Sequence, residues 1–166
     1  MRMESEATSS DWDTWLAAMV DRFLLFARQQ TRCGHDAEDV LQESLVETWK
    51  RAGGRPESAL VFATIRRRAI DLGRRTDRRV KREQAEALDA PFTLPAHDDD
   101  APLLRELEGA LAHLPAPQRE VLTLKFWGGL TFEQVAATLE IPQGTAASRY
   151  RSALETLRHS LTPALS

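Results

Sequence analysis

Gly129-Leu130-Thr131-Phe132-Glu133-Gln134-Val135-Ala136-Ala137-Thr138-Leu139-Glu140-Ile141-Pro142-Gln143-Gly144-Thr145-Ala146-Ala147-Ser148-Arg149-Tyr150-Arg151 is the stretch whose reading decides the fold. Thr131 followed three residues later by Gln134 is the spacing of a capping box, in which a hydroxyl and an amide satisfy the free N–H groups at a helix start. Val135, Ala136 and Leu139 then face inward at helical spacing, and Ala136 is small where a second helix must pass closely. Ile141 can plug the turn, and Pro142 suits the first turn of a following helix. That second helix begins with small polar and cationic side chains, as a helix-turn-helix does when it presents its leading end to the major groove. Hydroxyls reach phosphates or base edges, and arginines reach phosphates or the O6/N7 edge of guanine. Thr131, Thr145, Ser148, Arg149 and Arg151 are thus the candidate DNA contacts of this segment. A plain helical hairpin with solvated arginines would share the pattern.

Upstream, Val121, Leu122, Leu124 and Phe126 recur as one apolar face after Pro115 and Pro117, and Gly128-Gly129 offers a left-handed helix end. Leu103, Leu104, Leu107, Ala110, Leu111 and Leu114 carry an earlier helical pattern. Before them the periodicity vanishes. From Glu83 to Glu108 there are eight acids against one arginine, with Pro91, Pro95, Pro102 and Asp98-Asp99-Asp100, which reads as a flexible acidic linker.

The N-terminal half has three helical patterns. Trp12, Trp15, Leu16, Met19, Val20, Phe23 and Ala27 form one stripe. A helix over about 36–50 carries Val40, Leu41, Leu45, Thr48 and Trp49 on one side, and Gly53, Gly54 and Pro56 end it. A third over about 57–75 carries Val61, Ile65, Ala69 and Leu72 inward. No run of period-two alternation predicts a strand. The expected fold is all-α: two small helical domains joined by a flexible linker, with 1–82 as the first, 83–102 as the linker and 103–166 as a C-terminal helix-turn-helix domain. A cut near Ala96 is then expected to leave two separately folded halves.

Charge is segregated along these segments. The chain has 166 residues, 28% of them charged, and a net charge of -3. Yet residues 51–82 hold eleven Lys/Arg against three Asp/Glu. Arg67, Arg74 and Arg78 share one helical edge, with Arg66 and Arg75 flanking it, and the natural use of such an edge is the phosphate backbone. Phe62 lies nearby, as a core residue or a base-stacking group. The acids Asp36, Asp39 and Glu43 with Gln42 open the preceding helix. Complementation of the helix dipole accounts for the acids taken alone. Asp39, Gln42 and Glu43 nevertheless share a face opposite Leu41 and Leu45, which suits a basic partner protein.

Several function classes are excluded or disfavoured. Cys33 has no second cysteine to pair with, and with His35 it falls short of a metal set; His97, His113 and His159 are scattered. No phosphate-binding glycine loop and no acid–base constellation is present. The start MRMESEATSS lacks an apolar signal core, and no stretch approaches 18 apolar residues. A cytoplasmic, non-enzymatic protein without cofactor, metal or membrane insertion is expected.

Four segments resemble the extracytoplasmic-function RNA polymerase sigma factors of the sigma-70 family. Residues 36–43, DAEDVLQE, resemble the helix that binds the coiled coil of the polymerase's largest subunit. Residues 62–75, FATIRRRAIDLGRR, look like the adjacent promoter-melting and start-proximal recognition helix. Residues 114–122, LPAPQREVL, resemble the beginning of the family's C-terminal domain, and 129–136 with 141–149 resemble its helix-turn-helix for the upstream promoter element. The order is the family's, with a linker where the family has one. Trp near Leu60, Asn near Arg67 and a basic residue at Ala147, all common in the family, are absent here. The resemblance implies core polymerase and promoter DNA as partners, with an anti-sigma protein as a third that nothing in the chain identifies. The readings set against it are a helix-turn-helix regulator that ignores polymerase and a sigma-like interaction protein that does not initiate transcription.

Overall fold

A computed structural model describes residues 2–83 and 109–165, with side chains described over 11–77 and 109–161. All regular structure in these residues is helical. Helix α1 runs Arg2–Gln30, α2 Gly34–Ala52 and α3 Ser58–Glu83. After a short helical stretch at 109–112 come α4, Ala116–Leu122, a π-helical turn, Thr123–Trp127, then α5, Phe132–Leu139, and α6, Gln143–Leu165. The region expected to be a linker, 83–102, lies outside the described residues apart from Glu83, which closes α3, and so do Leu103, Leu104 and Leu107.

The helix ends follow from local chemistry. Cys33 caps α2 in an extended conformation, its Sγ accepting from the Asp36 N–H at 3.4 Å. Gly53 ends α2 at φ 69°, ψ 20°, its N–H donating to the Trp49 carbonyl, and glycine takes that left-handed conformation without steric cost. Helix α3 extends eight residues beyond the expected Arg75, since nothing from Thr76 to Glu83 breaks a helix. The capping box is present as read: Gln134 N–H donates to Thr131 Oγ1 at 3.1 Å, and Thr131 N–H donates to Gln134 Oε1 at 3.0 Å.

The stripes meet in two apolar clusters. In one, Phe23 stacks edge-on against Phe62 with centroids 4.9 Å apart, and Phe26 meets the same ring at 5.5 Å. This cluster also holds Val40, Leu41, Val61 and Ile65 together with Val121, Leu124, Leu130, Val135, Leu139 and Ala146 from beyond residue 109. In the other, Leu111, Leu114, Leu122, Ala153 and Leu157 pack with Leu25 of α1. Buried apolar area is the main favourable term in folding, and here it is continuous between the N-terminal and C-terminal helices.

Two inward assignments need correction. The fifth peptide N–H after Thr123 closes the π turn, with Gly128 N donating to Thr123 O at 2.9 Å. The wider turn shifts the register, so Leu124 is buried while Phe126, expected inward, is 64% exposed against Trp127. Trp49, expected on the inner face of α2, is 37% exposed and meets Trp12 edge-on at 4.3 Å.

Candidate nucleic-acid interface

The leading end of α6 is shaped by the turn before it. Thr131 fixes the start of α5, and Glu140 ends that helix in the left-handed conformation, φ 56°, ψ 46°. Ile141 N–H returns to the Ala136 carbonyl at 3.0 Å, and half-buried Ile141 fills the corner. Ala146, fully buried, lets α6 approach closely, while Tyr150 packs against Phe132 at 5.5 Å. Of the candidate contacts on α6, Ser148 and Arg151 are exposed, and Thr145 and Arg149 are half-buried. Thr131 is exposed, but its oxygen already accepts the capping bond.

Helix α3 divides its arginines between two sides. Arg66, Arg67 and Arg74, with Arg51 of α2, line a cleft of about 370 Å³ whose far wall is Ala137 and Thr138 of α5 and the capping residue Glu140. Arg75 instead lines a smaller groove with Asp36, Asp39 and Glu43, so it does not extend the edge of Arg67 and Arg74. Arg78 belongs to α3, but its side chain lies outside the described residues. Phe62 is fully buried, which excludes base stacking in this arrangement.

The scarcity of opposing acids on α3 is real along the sequence and false in space. Arg67 is paired with Glu47 of α2, and Arg68, through Nε at 2.7 Å, holds the other Glu47 oxygen. Arg68 also reaches Glu43 at 2.8 Å, and Arg66 reaches Glu140 at 3.3 Å. For the pairs with α2, the one trace in the sequence is the i,i+4 spacing that puts Glu43 and Glu47 on one side of that helix. Burial by itself works against the charge of Glu47. Hydrogen bonds from Arg68 and Arg67, together with their positive charges, outweigh it and hold the carboxyl below the usual carboxylate range. A depressed folded-state value means stabilisation that is complete at neutral pH and lost as the folded form takes up the proton. The stability advantage of the wild type over Glu47→Gln is therefore expected to be full at neutral pH and to shrink as pH falls below about 4.3. Parallel urea melts of the two proteins across that range check this.

On α2, Asp39, Gln42 and Glu43 are all exposed, as expected, and Asp36 is half-buried. Asp39 is within 3.4 Å of His35 one turn earlier, and Glu43 is drawn toward Arg68. Beside this polar face Trp12, Leu16, Leu45, Val46 and Trp49 line an apolar groove that also includes Gln42. Sequence reading missed it because Val46 and Trp49 were not expected to reach solvent together. Among the described residues no group of three His, Cys, Asp or Glu could hold a metal, and no helix is long and apolar enough to cross a membrane.

Comparison with known proteins places both halves. Residues 13–79 match the family model of sigma-70 region 2, and residues 110–159 match that of sigma-70 region 4. The chain is 31% identical over 134 residues to the ECF RNA polymerase sigma factor RpoE of Cereibacter sphaeroides, covering 76% of this chain and 72% of that protein. It is 30% identical over 158 residues to the RNA polymerase sigma-E factor of Streptomyces avermitilis, covering 91% of this chain and 85% of the relative. Among solved structures it is similar to the sigma factor RpoE of Bartonella quintana, crystallised in complex with the anti-sigma factor NepR. That likeness has a TM-score of 0.71 at 25% identity, over 92% of this chain and 97% of the other.

Proposed function

Since the chain belongs to the extracytoplasmic-function RNA polymerase sigma factors, we propose that its two helical units divide the work of promoter use between α3 and α6. It directs bacterial RNA polymerase to promoters and initiates transcription there. In this proposal the chain divides into 1–82 for the start-proximal element and core binding, 83–102 as linker and 103–166 for the upstream element.

One observation carries this reading. The exposed, cationic start of α6 and the arginine-bearing edge of α3 are separate surfaces on one chain, while the polar face of α2 is open on its own. A simple repressor needs only the first of these. Thr145, Ser148, Arg149 and Arg151 are suited to the upstream element, with Thr131 beside them at the phosphates. Arg66, Arg67 and Arg74, with Arg75 and Arg78 further along α3, are suited to the start-proximal element and to strand opening. Asp36, Asp39, Gln42 and Glu43 are suited to a basic surface of core polymerase. The protein needs no catalytic centre or cofactor for this and would act in the cytoplasm, where polymerase is. An anti-sigma protein, such as the one held by the Bartonella relative, is a further partner of this proposal.

Run-off transcription with purified protein and bacterial core polymerase on genomic promoter fragments tests the whole reading. Specific transcripts that need the protein support it. Co-purification with core and no transcript favours a sigma-like interaction protein; DNA binding that ignores core favours an ordinary regulator. Asp39→Ala with Gln42→Ala is expected to weaken capture of core polymerase in a pull-down while leaving the melting temperature unchanged, because both side chains are exposed. Undiminished capture removes the α2 face from the assignment. Arg149→Ala is expected to lower affinity for upstream-element DNA by about 1–3 kcal/mol relative to scrambled DNA. An equal loss on both sequences reduces Arg149 to a phosphate contact.

A further inference from the structure

Two residues of the cleft beside α3, Arg51 and Thr138, have no part in the promoter-reading assignment. Arg51 of α2 stands with Arg66, Arg67 and Arg74 around the space of about 370 Å³, against two carboxylates, Asp71 and Glu140. Among the described residues Arg51 and Arg74 take part in no ion pair. The other two arginines are only partly committed. Arg66 reaches Glu140, which is 82% exposed, and a pair so open to water contributes little. Arg67 gives one terminal nitrogen to Glu47, and a guanidinium has further N–H donors.

Thr138 is the second observation. It lines the cleft at 6% exposure, yet among the described residues its hydroxyl makes no hydrogen bond. Thr64, also lining the cleft, donates to the Leu60 carbonyl at 2.8 Å as helical threonines commonly do. Buried hydroxyls as a rule bond to protein, water or a ligand. Ala63 and Ala137 line the same space and are too small to fill it. Its volume falls within the range of small-molecule sites, roughly 300–1,000 Å³.

We propose that this cleft is a binding site for a small oligophosphate anion, either inorganic or the phosphate chain of a nucleotide. One carboxylate cannot serve several guanidinium groups at once, whereas linked phosphates present many oxygens, and arginine pairs with phosphate through two parallel N–H bonds. Arg51 and Arg74 give up no partner on binding, and the Thr138 hydroxyl donates to a phosphate oxygen. Positive charge between apolar walls also acts with less screening than on an open surface. Binding does not depend on the promoter assignment, but its consequence does. Arg66, Arg67 and Arg74 are the arginines given above to the start-proximal element, so a bound anion competes with DNA for α3.

Calorimetric titration of the full chain with inorganic tripolyphosphate tests this, at physiological ionic strength and without divalent cations. One site is expected to saturate with a Kd below about 1 mM. Thr138→Val, which keeps the shape and removes the hydroxyl, is expected to weaken binding about fivefold. Arg51→Ala is expected to weaken it about tenfold. On the far wall, Ala137→Glu should weaken binding by a similar factor and Ala137→Lys should tighten it. Arg51 and Ala137 are exposed, so those variants are expected to melt with the wild type. No saturation by about 1 mM overturns the site. Equal binding by wild type, Thr138→Val and Ala137→Glu also overturns it, since the anion would then be associating with open arginines. Titration with ATP separates the two sources. Binding at least tenfold tighter than tripolyphosphate supports a nucleotide site, and equal or weaker binding supports a site for the phosphate chain alone. If the site saturates but a labelled single-stranded oligonucleotide is not displaced, the site stands and the assignment of α3 to DNA is what has failed.

Discussion

Phe62→Ala is expected to cost about 3–5 kcal/mol, the range for emptying a buried aromatic site. The ring is completely inaccessible and meets two other rings edge-on, Phe23 at 4.9 Å and Phe26 at 5.5 Å. Its edge also lies where a β-carbon on Gly128 would come within 3.0 Å. Removal therefore opens a cavity bounded by α1, α3 and the residues after the π turn. These are separate elements, and collapse from one side cannot fill the space. In a chain of this size the loss corresponds to a fall of about 6–20 °C in melting temperature. Phe62→Leu, which keeps more of the volume but loses both ring contacts, should cost clearly less than the alanine. Urea denaturation of both variants checks the pair, and a loss below about 1 kcal/mol for the alanine would mean that the cavity closes and the site is not a shared core.

Gly128→Ala is expected to cost on the order of 1–3 kcal/mol, although the change adds a single methyl group. Gly128 has φ -75°, ordinary for any residue, so the reason is not backbone freedom. An added β-carbon would lie 2.5 Å from the Leu124 carbonyl oxygen and 3.0 Å from the Phe62 ring. The ring could give way, but the carbonyl belongs to the backbone of the π turn and cannot move without disturbing it. A double variant separates the two contacts. If the carbonyl dominates, Gly128→Ala remains costly in a Phe62→Leu background. If the ring dominates, the two changes are strongly non-additive.

The helical class, the caps and most inward faces were legible in the sequence because each depends on neighbours three or four residues away. Thr131 and Gln134 form the capping box, and Val61, Ile65 and Ala69 are buried together. The solvent-facing start of α6 and the open face of α2 were legible for the same reason. The pairings that were missed depend on residues distant in sequence. Glu47 neutralises Arg67 from 20 residues away, and Gln29 meets Thr123 from 94 residues away. The π turn is a different case: inserting one extra residue into a turn leaves no compositional mark, and Phe126 was assigned inward on a period that the chain had already abandoned. Cys33 looked like an isolated thiol because sulfur is an unusual helix cap.

Helix α1 gives the arrangement a property of its own. Phe23 and Phe26 enter one cluster and Leu25, which projects from the other side of the same turn, enters the second. A helix held on opposite sides cannot roll to improve its fit on one side without loosening the other. Torque applied at either cluster is therefore shared through α1, which acts less as a wall of one domain than as an axle between two.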